Sequence, residues 1–219
     1  MHEFSIPYLL QAYLNKSAFQ NSPKYREKRE ILEKISKAFE QAGIKWALSC
    51  SAALFFRGIV DGFNDFDILL SKDSMEKAKE TLRNLGVVLN ESTPQKDDYF
   101  CSPDFQQARY GNVEFDLITD ISIKTFGKTY TYKIEQGLEM NSLDGNYPLP
   151  LIPIEAQLVL YGKMEGWEST RLLKRYWCHQ YLLEMKKTQK VLRYHEILKD
   201  ALEQGMPPTL IEVINSLLK

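Results

Sequence analysis

The chain has little of what builds redox or zinc centres. Among its 219 residues are three cysteines and three histidines. Cys50, Cys101 and Cys178 are scattered without CxxC spacing, which excludes a zinc ribbon or a thioredoxin-type motif. Odd and unpaired, they point to a reducing compartment and to small core-filling roles. His2, His179 and His195 form no ligand pattern, so a zinc site is not expected. No apolar run approaches the ~18 residues of a membrane span. Ile6-Pro7-Tyr8-Leu9-Leu10 is too short for the apolar centre of a secretory leader. The expected location is the cytoplasm, with no membrane partner. A dominant charge is missing too. With 28 Lys and Arg against 29 Asp and Glu, the net charge of −1 gives no general pull toward nucleic acid or lipid. There is no internal repeat and no low-complexity segment. What remains is a chain with 44% hydrophobic residues, ample for a core, and a length that fits one domain with a helical extension or two small domains.

Periodicity predicts a short helix over residues 4–14. Ser22 then caps a longer helix with Pro23 in its first position; Ile31, Leu32, Ile35, Ala38 and Phe39 line its inner face, and Gly43 ends it. A short apolar strand, Ile44 to Leu48, runs into Ser49-Cys50-Ser51 and a helix over Ala52-Ala53-Leu54-Phe55-Phe56, closed by Arg57-Gly58. A helix capped by Asp73 or Ser74 buries Met75, Ala78, Leu82 and Leu85, and Val87-Val88-Leu89 is a strand. Residues 91–98 read as a polar loop. Tyr99-Phe100-Cys101 and Gln107 to Tyr110 read as hairpin strands, and Gly111-Asn112 turns into the next strand. Residues 120–150 alternate short strands and turns, with strict alternation over 128–133 and a turn at Asp144-Gly145-Asn146. Pro148, Pro150 and Pro153 mark a junction. After Ile154 the pattern is helical to the end, with breaks near Gly166-Trp167 and Gly205 to Pro208. The expected fold class is α/β (α+β): a small mixed sheet flanked by helices over residues 1–150, and a helical cap over residues 151–219.

The chemistry lies in Asn64-Asp65-Phe66-Asp67-Ile68-Leu69-Leu70. In an extended strand, residues two apart share a face, so Asp65 and Asp67 stand side by side with Phe66 and Ile68 behind them. Adjacent carboxylates repel unless a cation lies between them. An all-oxygen site suits Mg²⁺, which keeps water and substrate phosphate among its ligands. A second acidic strand, Val113-Glu114-Phe115-Asp116-Leu117-Ile118, places Glu114 and Asp116 on one face. Three carboxylates on neighbouring strands suit one or two metal ions around a phosphoryl group. The alternative is that such aspartates are only solvated strand ends.

Strand, small-residue turn, helix, Asp-x-Asp strand, helix, strand and a later acidic strand together resemble the nucleotidyltransferase superfamily, of polymerase-beta type. The likeness is nearest to the minimal, antibiotic-modifying and toxin-type members. It rests on Ala47-Leu48-Ser49-Cys50-Ser51-Ala52, Asn64-Asp65-Phe66-Asp67-Ile68 and Glu114-Phe115-Asp116-Leu117, and covers about residues 30–120. It implies an enzyme that moves an NMP group from an NTP such as ATP to a hydroxyl acceptor: a small molecule, a tRNA end or a protein. It implies that Asp65, Asp67 and Asp116 are catalytic and hold Mg²⁺, that Asp116 assists the attacking hydroxyl, and that Ser49 and Ser51 meet a phosphate at a helix N-terminus. Lys163, in a helix that resembles the post-core helix of toxin-type relatives, would face the triphosphate.

Two features depart from the family pattern. Where it has glycine before the helix, this chain has Ser49 and Cys50, which keeps open a catalytically degenerate module that binds a partner. The Lys/Arg-Asp pattern of toxin-type members is replaced by Trp167-Glu168-Ser169-Thr170-Arg171. Phosphatases and glycosyltransferases that use Asp-x-Asp place it at the end of an apolar strand, whereas here the apolar residues follow it. Residues 171–195 carry seven Lys and Arg against one Glu184, interleaved with Tyr176, Trp177, Tyr181 and Tyr194. That segment is a candidate RNA surface, although Trp177 and Tyr181, four apart, read better as core.

Overall fold

The computed structural model describes residues 5–90, 102–125, 127–142, 147–163, 169–187 and 194–219. Helix α1 (Ser5–Asn21) leads through a 3-10 turn at Pro23–Tyr25 to α2 (Arg26–Gln41). Ser22 caps that turn, its hydroxyl accepting the Lys24 N–H at 3.3 Å. Strand β1 (Trp46–Leu48), α3 (Cys50–Phe56), β2 (Phe66–Leu70), α4 (Met75–Asn84) and β3 (Val88–Leu89) follow. Next come β4 (Asp104–Tyr110), β5 (Val113–Thr119), β6 (Ile121–Thr125), β7 (Lys128–Tyr132), β8 (Glu139–Ser142) and β9 (Pro148–Leu151). The remainder is helical: α5 (Ile154–Lys163), α6 (Ser169–Lys187), α7 (His195–Glu203) and α8 (Pro208–Leu218). The expected strand over 99–101, the loop over 91–98, the turn at 144–146 and the break at 166–167 lie outside the described residues.

Seven strands form one mixed sheet in the order β3-β4-β5-β2-β1-β9-β8, and β6–β7 is a separate hairpin. β2 runs parallel to β5, and β1 parallel to β9; the other pairs are antiparallel. Alternation assigns the two faces. Trp46, Leu48, Phe66, Ile68, Leu70, Phe115 and Leu117 pack with the buried faces of α2 to α4. Ala47, Leu69, Phe105 and Ile118 pack on the other side with α5 to α8 and the β6–β7 hairpin. The expected mixed sheet with a helical cap is the observed architecture. β9 runs across the expected boundary at residues 150 and 151 and pairs with both β8 and β1.

α1 is longer than its periodicity predicts. Its second half is held by tertiary contacts: Asn15 donates to the Phe55 and Val60 carbonyls at 2.7 and 2.8 Å, and Phe19 is fully buried among Tyr25, Phe56 and Phe63. Gly58 (φ +74°) makes this approach feasible, because a Cβ there would strike the backbone of Tyr8 and Ala12. A helical break at Tyr194, absent from the sequence pattern, has a similar origin. Its hydroxyl donates to the Leu138 carbonyl, and its N–H lies 3.4 Å from Glu155 Oε1.

Candidate active site

Parity along the strands brings the acidic residues together. Asp67 shares a face with Leu69, and Asp116 with Ile118, so both carboxylates point to the side covered by the helical cap. Asp67 lies directly opposite Asp116 in the parallel register of β2 and β5. Asp65, immediately before β2, is near enough to raise the pKa of both. Glu114 precedes Asp116 on the same face but is exposed, opposite Arg109 on β4.

The site holds more negative charge than its surroundings neutralise. Burial, then Asp65, then Asp116 push the Asp67 carboxyl up to about 7. Burial, then Asp65, push Asp116 up to about 6, with Gln107 opposite it partly offsetting and Glu114 adding a little. Carboxylates that repel in this way have the donor chemistry of a hard cation site. They are near neighbours, not a closed cage: among the described residues, no three His, Cys, Asp or Glu side chains converge tightly enough to hold an ion.

The turn from β1 into α3 adjoins Asp67. The Ser49 N–H donates to the Asp67 carbonyl at 2.8 Å, and the Ser49 side chain is fully buried. Cys50 has a left-handed backbone (φ +49°), costly for any residue with a Cβ. The turn takes a conformation that glycine adopts freely, at the position where the sequence departs from the expected glycine. The Cys50 thiol sits against Asp67, and burial followed by that carboxylate holds it protonated, well above the usual thiol range. Cys50→Gly is expected to stabilise the fold by about 0.5–1 kcal/mol, the relieved strain less the greater freedom of unfolded glycine. Urea unfolding midpoints check this; a lower midpoint would mean that the thiol's packing outweighs the strain.

Ser51 is the second residue of α3, and its Oγ receives a hydrogen bond from Lys174 Nζ at 3.3 Å. Lys174 comes from α6, lies 5.6 Å from the centre of the Tyr161 ring, and tempers the charge of Asp67 and Cys50. Tyr161, on α5, is buried beside Cys50 and Asp67, and burial raises its hydroxyl pKa well above the ordinary value. Lys163 is also buried, in the last turn of α5. Lys174 thus brings a cation to the Ser51 turn. In the sequence it is one of seven basic residues between 171 and 195, with no spacing to single it out.

A polar cleft of about 320 Å³ opens beside the carboxylates, lined by Asp65, Asp116, Asn90, Gln107, Arg109 and Glu114, with Ala108 and Phe115. Some described residues of the basic segment are engaged within the fold. Lys186 donates to the Leu217 carbonyl at 3.0 Å, Lys187 pairs with Glu184 at 2.6 Å, and Trp177 and Tyr181 pack against the core. No described helix is long and apolar enough to cross a membrane.

This architecture is the nucleotidyltransferase fold. It is similar to that of a Thermotoga maritima protein assigned as a nucleotidyltransferase, at 15% identity and a TM-score of 0.57, over 69% of this chain and 92% of that one. It is also similar to ANT(2″)-Ia solved with adenylyl-2″-tobramycin, at 13% identity and a TM-score of 0.50, over 70% of this chain and 88% of that one. The solution structure of ANT(2″)-Ia matches at the same identity and TM-score, over 75% and 90%. Neither a family model nor a curated protein matches this chain.

Proposed function

We propose that this protein is an Mg²⁺-dependent nucleotidyltransferase that moves an NMP group from an NTP to a hydroxyl acceptor. The observation that carries this reading is the register of Asp67 against Asp116, with Asp65 adjacent, beside a helix N-terminus that Lys174 reaches. Asp65, Asp67 and Asp116 are the residues that would offer carboxylates to the metal, with water and substrate phosphate completing its ligands. Bound there, Mg²⁺ would neutralise phosphate charge and orient the triphosphate. The chain's own groups then have distinct tasks. The N-terminus of α3, with Ser49, Ser51 and Lys174, receives phosphate oxygens. Asp116, charged above about pH 6, accepts the proton of the acceptor hydroxyl. That oxygen bonds to the α-phosphorus as the bond to pyrophosphate breaks. Lys163 is retained as a second cation for the triphosphate, behind Lys174.

Residues 1–150 act as the nucleotide core, and residues 151–219 as a cap that lends Lys174. The acceptor enters by the cleft over β4 and β5. Its lining of Asn90, Gln107, Arg109 and Glu114 suits a small, hydroxyl-rich molecule that carries an amine, such as an aminoglycoside. ANT(2″)-Ia, which shares the fold, was solved with an adenylylated aminoglycoside. A tRNA acceptor bound through 171–195 is less well served, since Lys174, Lys186 and Lys187 are engaged within the protein. The location expected of such an enzyme is the cytoplasm. One observation favours a second reading, a degenerate module that binds a partner: the left-handed Cys50 in the phosphate-facing turn.

Thermal denaturation with each NTP, with and without Mg²⁺, separates the two. An NTP at ~100 times its dissociation constant adds about 2.7 kcal/mol of stability. The shift is expected only with Mg²⁺, to vanish in Asp65→Ala and to weaken in Lys174→Met. No shift with any NTP would favour the degenerate module.

A further inference from the structure

We propose that two copies of this chain form a dimer through the outer faces of α1 and α6. The first half of α1 is apolar on its outer side as well as on its inner one. Its inner side packs against α3 and the aromatic cluster, yet Leu9, Leu10, Tyr13 and Leu14 are 66%, 53%, 69% and 48% exposed. Apolar residues on both sides of a helix are normally covered on both. α6 repeats the pattern, with Leu173 at 48% and Tyr176 at 56%.

The two rows adjoin. The ring of Tyr8 meets that of Tyr181 edge-on at 5.2 Å and lies beside Tyr176, so Leu9 on α1 and Tyr176 on α6 flank one contact. The six residues expose roughly 600–700 Å² per copy, near the ~800 Å² per partner of a standard interface and above the usual largest patch of a monomer.

Charge favours a second copy as the occupant. A two-fold contact sets a patch against itself, so any net charge on it would repel its own image. Between Ser5 and Asn15, α1 has no charged residue. The cations next to the α6 row turn elsewhere, Lys174 to Ser51 and Arg175 to Thr209 Oγ1 at 3.3 Å. Glu184, whose charge reaches Tyr8, is paired with Lys187 at 2.6 Å, so the described charges beside the patch are balanced and its exposed residues are apolar. Because Leu173 and Tyr176 bracket Lys174, the dimer would also steady the helix that delivers Lys174 to the nucleotide turn.

Size-exclusion chromatography with light scattering tests this without reference to activity. Wild type is expected at twice the 25.5 kDa of one chain. Leu9→Lys and Tyr176→Lys, on different helices, should each return a single-chain mass. Circular dichroism melts should show both variants folded, as their side chains are exposed. A wild type that stays at one chain's mass even when concentrated would overturn the proposal, as would a dimer that survives both substitutions.

Discussion

Asp67→Asn is expected to abolish nucleotidyl transfer and, at the same time, to make the ligand-free protein more stable above neutral pH. The loss follows from position. Asp67 faces Asp116 across β2 and β5, and the metal that such carboxylates would hold contributes several kcal/mol by stabilising phosphoryl charge. At 1.36 kcal/mol per factor of ten, a loss of order 10³-fold in kcat is expected. The gain follows from repulsion. Burial, then Asp65 and Asp116, raise the Asp67 carboxyl to about 7, against an ordinary aspartate value near 4. The native state thus holds this proton more tightly than the unfolded chain. Stability from it is full below about pH 4 and declines as pH rises toward 7. Asp116, raised to about 6, acts in the same direction over a narrower window. Asparagine cannot ionise, so the variant should melt higher than wild type at pH 8, by an amount on the order of 1–4 kcal/mol. Near pH 4 the two should converge. Radiolabelled transfer assays and melts across pH 4–8 read both effects. A variant that kept its activity would sink the assignment of Asp67 as a metal ligand.

Arg57→Met is expected to cause a large loss of stability without touching the carboxylates. Arg57 is buried at the C-terminus of α3, where its Nη1 donates to the Ala53 carbonyl at 3.3 Å. Its Nη2 donates to the Ile152 carbonyl at 2.6 Å and pairs with Glu139 Oε2 at 2.6 Å, and its Nε meets the same oxygen at 3.1 Å. Glu139 Oε1 in turn accepts the Ile154 N–H, at the start of α5, at 3.4 Å. One guanidinium thus ties α3, β8 and the junction between sheet and cap. Methionine matches its length but leaves Glu139 and the Ile152 carbonyl without their partner. Breaking a buried pair from one side costs about 3–5 kcal/mol, and the partial exposure of Glu139 places this case near 3 kcal/mol. The double variant Arg57→Met, Glu139→Gln should recover part of that loss, because no uncompensated carboxylate remains. Urea unfolding of the two single variants and the double variant measures the coupling. Purely additive losses would show that the ion pair contributes nothing beyond packing.

Much of the core was legible in the chain because it rests on local periodicity. Ile31, Leu32, Ile35 and Phe39 repeat at helical spacing and are buried; Phe66 and Ile68 alternate with Asp65 and Asp67 and are buried on the opposite face. Trp177 and Tyr181, four apart on α6, pack against the core as their spacing predicts. The length of α1 was not legible, because Asn15 and Phe19 are held by groups some forty residues away, which no local pattern encodes.

The site divides along the same line. By itself the sequence determined that Asp67 lies on an acidic strand with Asp65 beside its start, that Asp116 lies on a second acidic strand, and that a small-residue turn precedes a helix. Each of these depends on residues close together in the chain. Only the tertiary structure decided that β2 and β5 are parallel neighbours in a register that sets Asp67 against Asp116, since α4, β3 and β4 intervene between them. It alone gave Cys50 its left-handed backbone, and it alone brought Lys174 to Ser51 from 123 residues away. Lysines 163 and 174 look alike in the chain. The packing of α5 and α6 over the sheet buries one in the cap and turns the other toward Ser51, and that packing is a property of the folded whole.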